Sequence, residues 1–213
     1  GTFSDWSIMS RYRVIVAPKA SGEHAGIALK NANTPLPTAC RTLTEGLRAT
    51  QAMRDADTST VYPAAHWARG LNIGGHTDWY IPARDELELC WRNLKPTTTA
   101  NYVTAADRPE AAIFSYDNNG SYGDTANTHG TNNNSRPTGA TYTSSVPDQT
   151  AATAFRTGGA EAYEFDSAYY RSSSDYDSFN AWDQRWSSSY PGYQDNNGKS
   201  NMGRVRATRR SII

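Results

Sequence analysis

The chain has 213 residues and a mass of 23.4 kDa, about one and a half times a domain of roughly 150 residues, which predicts one large domain. Its 21 Lys and Arg balance 21 Asp and Glu, which speaks against a nucleic-acid partner held by phosphate contacts. No apolar run approaches the roughly 18 residues of a membrane-spanning helix, so membrane insertion is not expected.

The longest aliphatic stretch is Val14 to Ala17, and Leu, Ile, Val and Phe together number only 27. Such poverty signals disorder when net charge is high, a condition not met here. Six Trp and 13 Tyr can supply an aromatic core instead. Gly1 to Ser10 lack the charged, apolar and small-residue order of a secretion signal, and secretion stays open. Cys40 and Cys90 are too few for a disulfide framework or a thiolate zinc site and read as buried free thiols.

Tyr12, Val14 and Val16 alternate with Arg13 and Ile15, and a second short run covers Ile27 to Leu29 after the breakers Pro18 and Gly22. This pattern predicts the two strands of a hairpin. Beyond Pro35 and Pro37, Ala49, Ala52, Met53 and Ala56 recur at helical spacing, and Ala64, Trp67, Ala68 and Leu71 repeat it. Two amphipathic helices are expected, the second capped by Ser59 or Thr60 and ended by Gly70 or Gly74. Gly74 to Pro82 reads as a turn feeding a short aromatic strand. A third helix follows, with Leu87, Cys90, Trp91 and Leu94 on one face. Asp85, Glu86 and Glu88 sit near its positive end, and Arg92 and Lys95 near its negative end.

Two segments are poor in core-forming residues. Ser115 to Ser145 holds no Ile, Leu, Val, Met, Phe or Trp in 31 residues. That predicts a long surface loop, either packed through Tyr116, Tyr122 and Tyr142 or disordered. From Asp166 to Asn201, Ser, Tyr, Asp and Asn make up 23 of 36 residues. This is the composition of an antibody paratope, where Tyr gives contact area at little entropic cost and small polar residues give adaptable hydrogen bonds. A plain polar loop has the same composition. Arg204, Arg206 and Thr208 then alternate with Val205 and Ala207 as a terminal strand, whose arginines predict a solvated face or an ion-pair row.

Residues able to carry chemistry do not assemble in the sequence. His24, His66, His76 and His129 lack the spacing of a helical metal site. Glu86 and Glu88 point about 200° apart on a helix and cannot pair with each other. Ser172-Ser173-Ser174 has neither a nucleophile-elbow glycine pattern nor a nearby base. No phosphate-binding or dinucleotide motif occurs. The expectation is a protein that is not an enzyme and carries no metal or other cofactor.

The run from Trp67 to Leu87, with Gly74-Gly75-His76-Thr77-Asp78-Trp79-Tyr80-Ile81-Pro82 followed by Glu86-Leu87, resembles the hallmark of a family of bacterial and phage domains. That family is typified by the C-terminal domain of the Lcl collagen-like adhesin. Tyr169 to Ser174, Ala181 to Gln184, Gly192 to Gln194, Lys199 and Arg204 to Ala207 match further blocks, so the resemblance spans Tyr12 to Arg210. It implies an α+β, C-type-lectin-like fold, similar also to the formylglycine-generating enzyme. Such a fold has a small twisted antiparallel sheet, two or three helices and long irregular loops. The closely spaced cysteine pair of that enzyme and the calcium-site tripeptides of sugar-binding lectins are both missing. Two departures from the family stand out. Arg171 replaces a usual Trp, which fits a variable binding surface. Ala83 replaces Ser or Thr and loses a capping hydroxyl worth about 1 kcal/mol, while Glu86 can still reach back.

The resemblance implies a receptor-binding domain for host attachment, in a phage tail fibre or tail tip or in a bacterial surface adhesin. Its location would be the virion tail or the cell surface. Its partners would be a host-cell protein or glycan and other tail proteins, with a homotrimer open. A structural tail or decoration protein, and a binder diversified by a retroelement, are the alternatives. Residues 12–95 and 202–210 would form the scaffold, with Trp79, Trp91 and Trp182 in the core. The binding segment, 166–201, would present Arg171, Asp175, Tyr176, Asp177, Phe179, Asn180, Asp183, Arg185, Tyr190, Tyr193 and Asn196. Tyr and Arg are favoured as anchors because interfaces draw most of their energy from such residues.

Overall fold

The structure, a computed structural model, describes residues 12–102, 143–166 and 168–212. Of the expected 115–145 loop only residues 143–145 fall within that range, and His129 lies outside it.

Alternation places the first strand correctly, as β1 (Tyr12–Val16), but does not name its partner. A short helix, α1 (Lys19–Gly22), separates it from β2 (Glu23–Ile27). Both strands pair antiparallel with the end of the chain, β2 with β6 (Gly203–Arg206) and β1 with β7 (Thr208–Ile212). The expected β1–β2 hairpin is therefore not formed. Ala207 is the corner between the two pairings. Its carbonyl accepts from the Ala17 N–H at 2.9 Å, and its own N–H donates to Gly22 O at 2.9 Å. A Cβ on Gly22 would collide with Ala17, so this close approach requires glycine.

Helical spacing is realised in α2 (Gly46–Ala56) and α3 (Pro63–Arg69). Ala49 and Met53 of α2 and Ala64, Ala65 and Ala68 of α3 enter one core with Leu29, Leu36, Cys40, Tyr62, Ile81, Ala181 and Val205. The second helix is not capped by Ser59 or Thr60. Its N-cap is Tyr62, and Pro63 opens the helix at a position where a missing N–H is harmless. Gly70 ends it, as expected. Gly74 and Gly75, with φ of 59° and 80°, make the two-residue turn that closes the Ile73–His76 bridge. Both positions are left-handed, which suits glycine. The predicted aromatic strand shrinks to a single bridge between Tyr80 and Thr208.

The main sheet has the order β2-β6-β3-β4-β5, where β3 is Ala168–Asp175, β4 is Asn180–Trp186 and β5 is Gln194–Gly198. Beside the two-stranded β1–β7 sheet and the helices, this makes a mixed α+β architecture. One side of β3 and β4 packs on α4 (Arg84–Leu94), where Leu87, Cys90 and Trp91 meet Tyr163, Tyr170 and Trp186. Trp186 stacks on Tyr163 at 3.9 Å between centroids and meets Trp91 edge-on at 4.8 Å. Trp79, Trp91 and Trp182 are all buried, as expected. Cys40 and Cys90 are free thiols, Cys40 in the core of α2 and α3 and Cys90 in the aromatic core under α4.

At the entrance to α4 the first amides find acceptors without a capping hydroxyl. Glu86 Oε2 accepts the Ala83 N–H at 2.9 Å, the half of the capping box that alanine leaves intact. The first two helical amides are satisfied from elsewhere in the molecule: Ser174 Oγ accepts the Arg84 N–H at 3.0 Å and donates to Thr42 O at 2.6 Å, and Leu43 O accepts the Asp85 N–H at 2.9 Å. Glu86 also accepts from Tyr80 Oη and from Arg210. The terminal arginines form the ion-pair row. Arg206 pairs with Glu23 and Glu161, Arg209 with Asp78, and Arg210 with Glu45 and Glu86. Arg206 is fully covered, which corrects the solvated-face alternative for that residue.

Candidate functional site

Strands β3, β4 and β5 carry most of the residues expected to bind. Their register places Arg171 opposite Asp183 and Asp183 opposite Asp195, with Tyr169 opposite Arg185 in the next row. On the reverse side of β4, Trp182, Gln184 and Trp186 are all buried.

Three of the expected binding residues are internal, and the sequence reading is corrected for them. Arg171 has no exposed surface. Its guanidinium donates to the carbonyls of Asn197 at 3.2 Å, Gly198 at 2.6 Å and Asn201 at 2.7 Å, and it lies over the Tyr169 ring. Burial lowers its pKa, opposed by the charge of Asp183. Asp183 accepts from Asn197 Nδ2 at 2.6 Å, and burial pushes its pKa up to about 7. Asp175 pairs with Lys199 at 2.8 Å, with both side chains fully buried. Ser172, Ser173 and Ser174 are buried as well, so this stretch of the paratope-like composition is interior. Partners offset part of that burial: Trp182 O accepts the Ser172 hydroxyl at 2.9 Å, Thr42 O that of Ser174 at 2.6 Å, and Pro82 O the Ser173 N–H at 2.9 Å.

The remaining residues divide between the two ends of the β4–β5 hairpin. Phe179, 61% exposed, occupies the turn before β4. Asp177 closes that turn by accepting the N–H groups of Phe179 at 2.7 Å and Asn180 at 2.6 Å. Tyr176 packs edge-on against Trp182 close by. Arg185, Tyr190 and Tyr193 lie at the opposite end, about 20 Å away at the rise of a strand. Phe179 and Tyr193 therefore stand at opposite ends of the hairpin, and Asn196, on β5, is half-buried between them.

At the far end the tyrosines converge. Tyr102 meets Tyr190 and Tyr193, each at 5.1 Å between centroids, and Tyr190 lies 6.0 Å from Tyr193. With Arg185 and Asp195 they line an open cleft of about 470 Å³. Main-chain bonds set its frame. The Tyr102 N–H donates to Pro191 O at 2.9 Å, the Arg185 N–H to Tyr193 O at 2.8 Å and the Gly192 N–H to Arg185 O at 2.9 Å. Gly192 turns the loop with φ of 81°, a left-handed position. Arg185 donates from Nε at 2.9 Å and from Nη2 at 2.7 Å to one oxygen of Asp195, and its guanidinium covers the Tyr169 ring. Burial works against that cation, but the Asp195 contact and the charge of Asp183 together outweigh it and the Arg185 pKa rises. Burial, reinforced by the Asp195 carboxylate, holds the Tyr193 phenol protonated.

No family model matches the chain, and neither the curated proteins nor the solved structures compared with it give a match.

Tyr102, Asp195 and Tyr169 were not among the residues expected from the sequence. Asp195 stands in a segment already singled out, ten residues from its Arg partner. Tyr102 lies more than 80 residues upstream of Tyr190, and only the tertiary fold joins them. Among the described residues, no three His, Cys, Asp or Glu converge to hold a metal ion. Burial pushes both thiols up, that of Cys90 to about 12.

Proposed function

We propose that the chain is a non-catalytic attachment module. In this reading it is a receptor-binding domain of a phage tail or of a bacterial surface adhesin, akin to the family that its Gly-Gly-x-x-Asp-Trp-x-x-Pro segment resembles. The supporting observation is the cleft at the β4–β5 loop. Three tyrosines cluster there at the surface, on a hairpin whose strands are fixed by buried tryptophans. Solvent-facing tyrosines grouped around an arginine are the anchors on which interfaces rely, and rigid strands beneath them lower the entropy lost on binding. The retroelement-diversified alternative is disfavoured by the burial of Arg171, Ser172, Ser173, Ser174, Asp175 and Asp183, where free variation would strand charges or open cavities.

The test is labelling of a panel of bacterial strains with the fluorescently tagged full chain. Wild type is expected to label at least one strain, and the pair Tyr190→Ala with Tyr193→Ala to lose that labelling at an unchanged melting temperature. Labelling of no strain, or equal labelling by the variant, overturns the reading.

A further inference from the structure

The chemistry of the same cleft narrows what it can hold. Among the described residues, its cation and its anion, Arg185 and Asp195, are already joined at 2.7 Å, with side chains 26% and 20% exposed. An anionic ligand would face the Asp195 carboxylate, and a cationic one would face the guanidinium. With the two charges 2.7 Å apart, whatever a charged ligand gains from one it largely loses to the other. The cleft therefore favours an uncharged ligand.

Its remaining polar groups are neutral or already balanced. Among the described residues, the hydroxyls of Tyr102 and Tyr190 have no protein partner, and neither does the Arg185 Nη1 group, which points two donors away from Asp195. Two hydroxyls that both donate and accept, beside a fork of donors, match a ligand with several adjacent hydroxyls.

Ring geometry supplies the other half. The planes of Tyr102 and Tyr190 meet at 64°, those of Tyr102 and Tyr193 at 70°, and those of Tyr190 and Tyr193 at 36°. A flat base or indole is gripped by parallel rings, which this site does not offer. Tilted rings make a concave cradle suited to a thick ring whose faces are C–H and whose rim is hydroxyl.

We propose that the Tyr102–Tyr190–Tyr193 cleft is a saccharide subsite that takes an uncharged hexopyranose unit of a surface glycan. C–H faces of the sugar pack on the tyrosine rings, and its hydroxyls bond Arg185 Nη1 and the two tyrosine hydroxyls. This rests on the attachment reading above and adds the class of ligand.

The experiment titrates the purified full chain with three sets of probes: neutral hexose and N-acetylhexosamine oligosaccharides, their sulfated or sialylated counterparts, and a proline-rich peptide. A neutral oligosaccharide is expected to bind, with affinity changing less than about twofold between about 50 and 500 mM salt, because no charge is paired. Tyr190→Ala is expected to weaken binding about tenfold or more. Its melting temperature should hold, because this ring is 47% exposed. Preference for the sulfated or sialylated set, loss of affinity in salt, or binding of the peptide alone overturns the proposal, as does binding of none. Periodate and protease treatment of labelled cells separates the two readings. Labelling that survives periodate but not protease sinks the saccharide subsite and leaves attachment standing. Saccharide binding without any cell labelling does the reverse.

Discussion

The two ends of the β4–β5 hairpin stand on different buried supports. Under the Phe179 turn, Lys199 Nζ bonds Asp177 O at 2.6 Å and Asp175 Oδ1 at 2.8 Å, and its own N–H holds Phe179 O at 3.1 Å. A complete ion pair, out of water, fixes that end. Under the tyrosine cleft, Gln184 Nε2 is shared between Gly192 O at 3.1 Å and Glu88 Oε2 at 2.5 Å, and Arg92 Nε holds the other Glu88 oxygen at 2.8 Å. Burial pushes the Glu88 pKa up to about 8, with Arg92 and Gln184 opposing. One end rests on two opposed charges and presents a lone apolar ring. The other rests on the Glu88–Arg92 pair, whose carboxylate pKa burial raises to about 8, and presents a group of tyrosines. The tyrosine cleft thus stands above the carboxylate whose pKa burial raises.

Three experiments probe that contrast, the largest effect first. Lys199→Ala leaves Asp175 buried without its cation and is expected to cost about 3–5 kcal/mol, read by urea unfolding. A loss below about 1 kcal/mol would mean that the pair does not hold the turn.

The second concerns pH. The folded pKa of Glu88 lies above its unfolded value of about 4.3, so the stability it contributes is complete below that pH and is lost as pH climbs toward 8. Melting temperature is expected to fall between about pH 5 and pH 8, and Glu88→Gln to flatten the fall. Parallel profiles for wild type and variant would show that Glu88 does not titrate in this range.

The smallest effect is at the exposed ring. Phe179→Ala should change stability by less than about 0.5 kcal/mol and leave cell labelling intact. If labelling drops, the attachment site belongs to the other end of the hairpin.

Much of the scaffold was legible in the sequence because its signals are local. Alternation marked β1, helical spacing marked α2 and α3, and the apolar stripe of Leu87, Cys90 and Trp91 marked the buried face of α4. The reach of Glu86 back to Ala83 was legible too, since three residues of helix set it. The candidate site was legible only in part. Arg185, Tyr190 and Tyr193 were singled out by composition, and they do converge. Arg171, Asp175 and Asp183 carry the same compositional signal and lie inside. The difference lies in what the rest of the chain offers: three carbonyls for Arg171, the Lys199 ammonium for Asp175 and the Asn197 amide for Asp183.

By itself the sequence determined β1, the helices α2, α3 and α4 and the burial of Trp79, Trp91 and Trp182, because backbone periodicity and apolar area act over a few residues. It did not mark β3, β4 and β5, whose polar composition reads as loop. Tertiary structure alone decided that β1 and β2 each pair with the chain's end. It decided that Ser174 takes the first amide of α4, and that Tyr102 joins Tyr190 and Tyr193 around one cleft. Each of these needs a partner supplied from dozens of residues away. A polar side chain is interior or exposed according to whether such a partner arrives, and residue type does not record that.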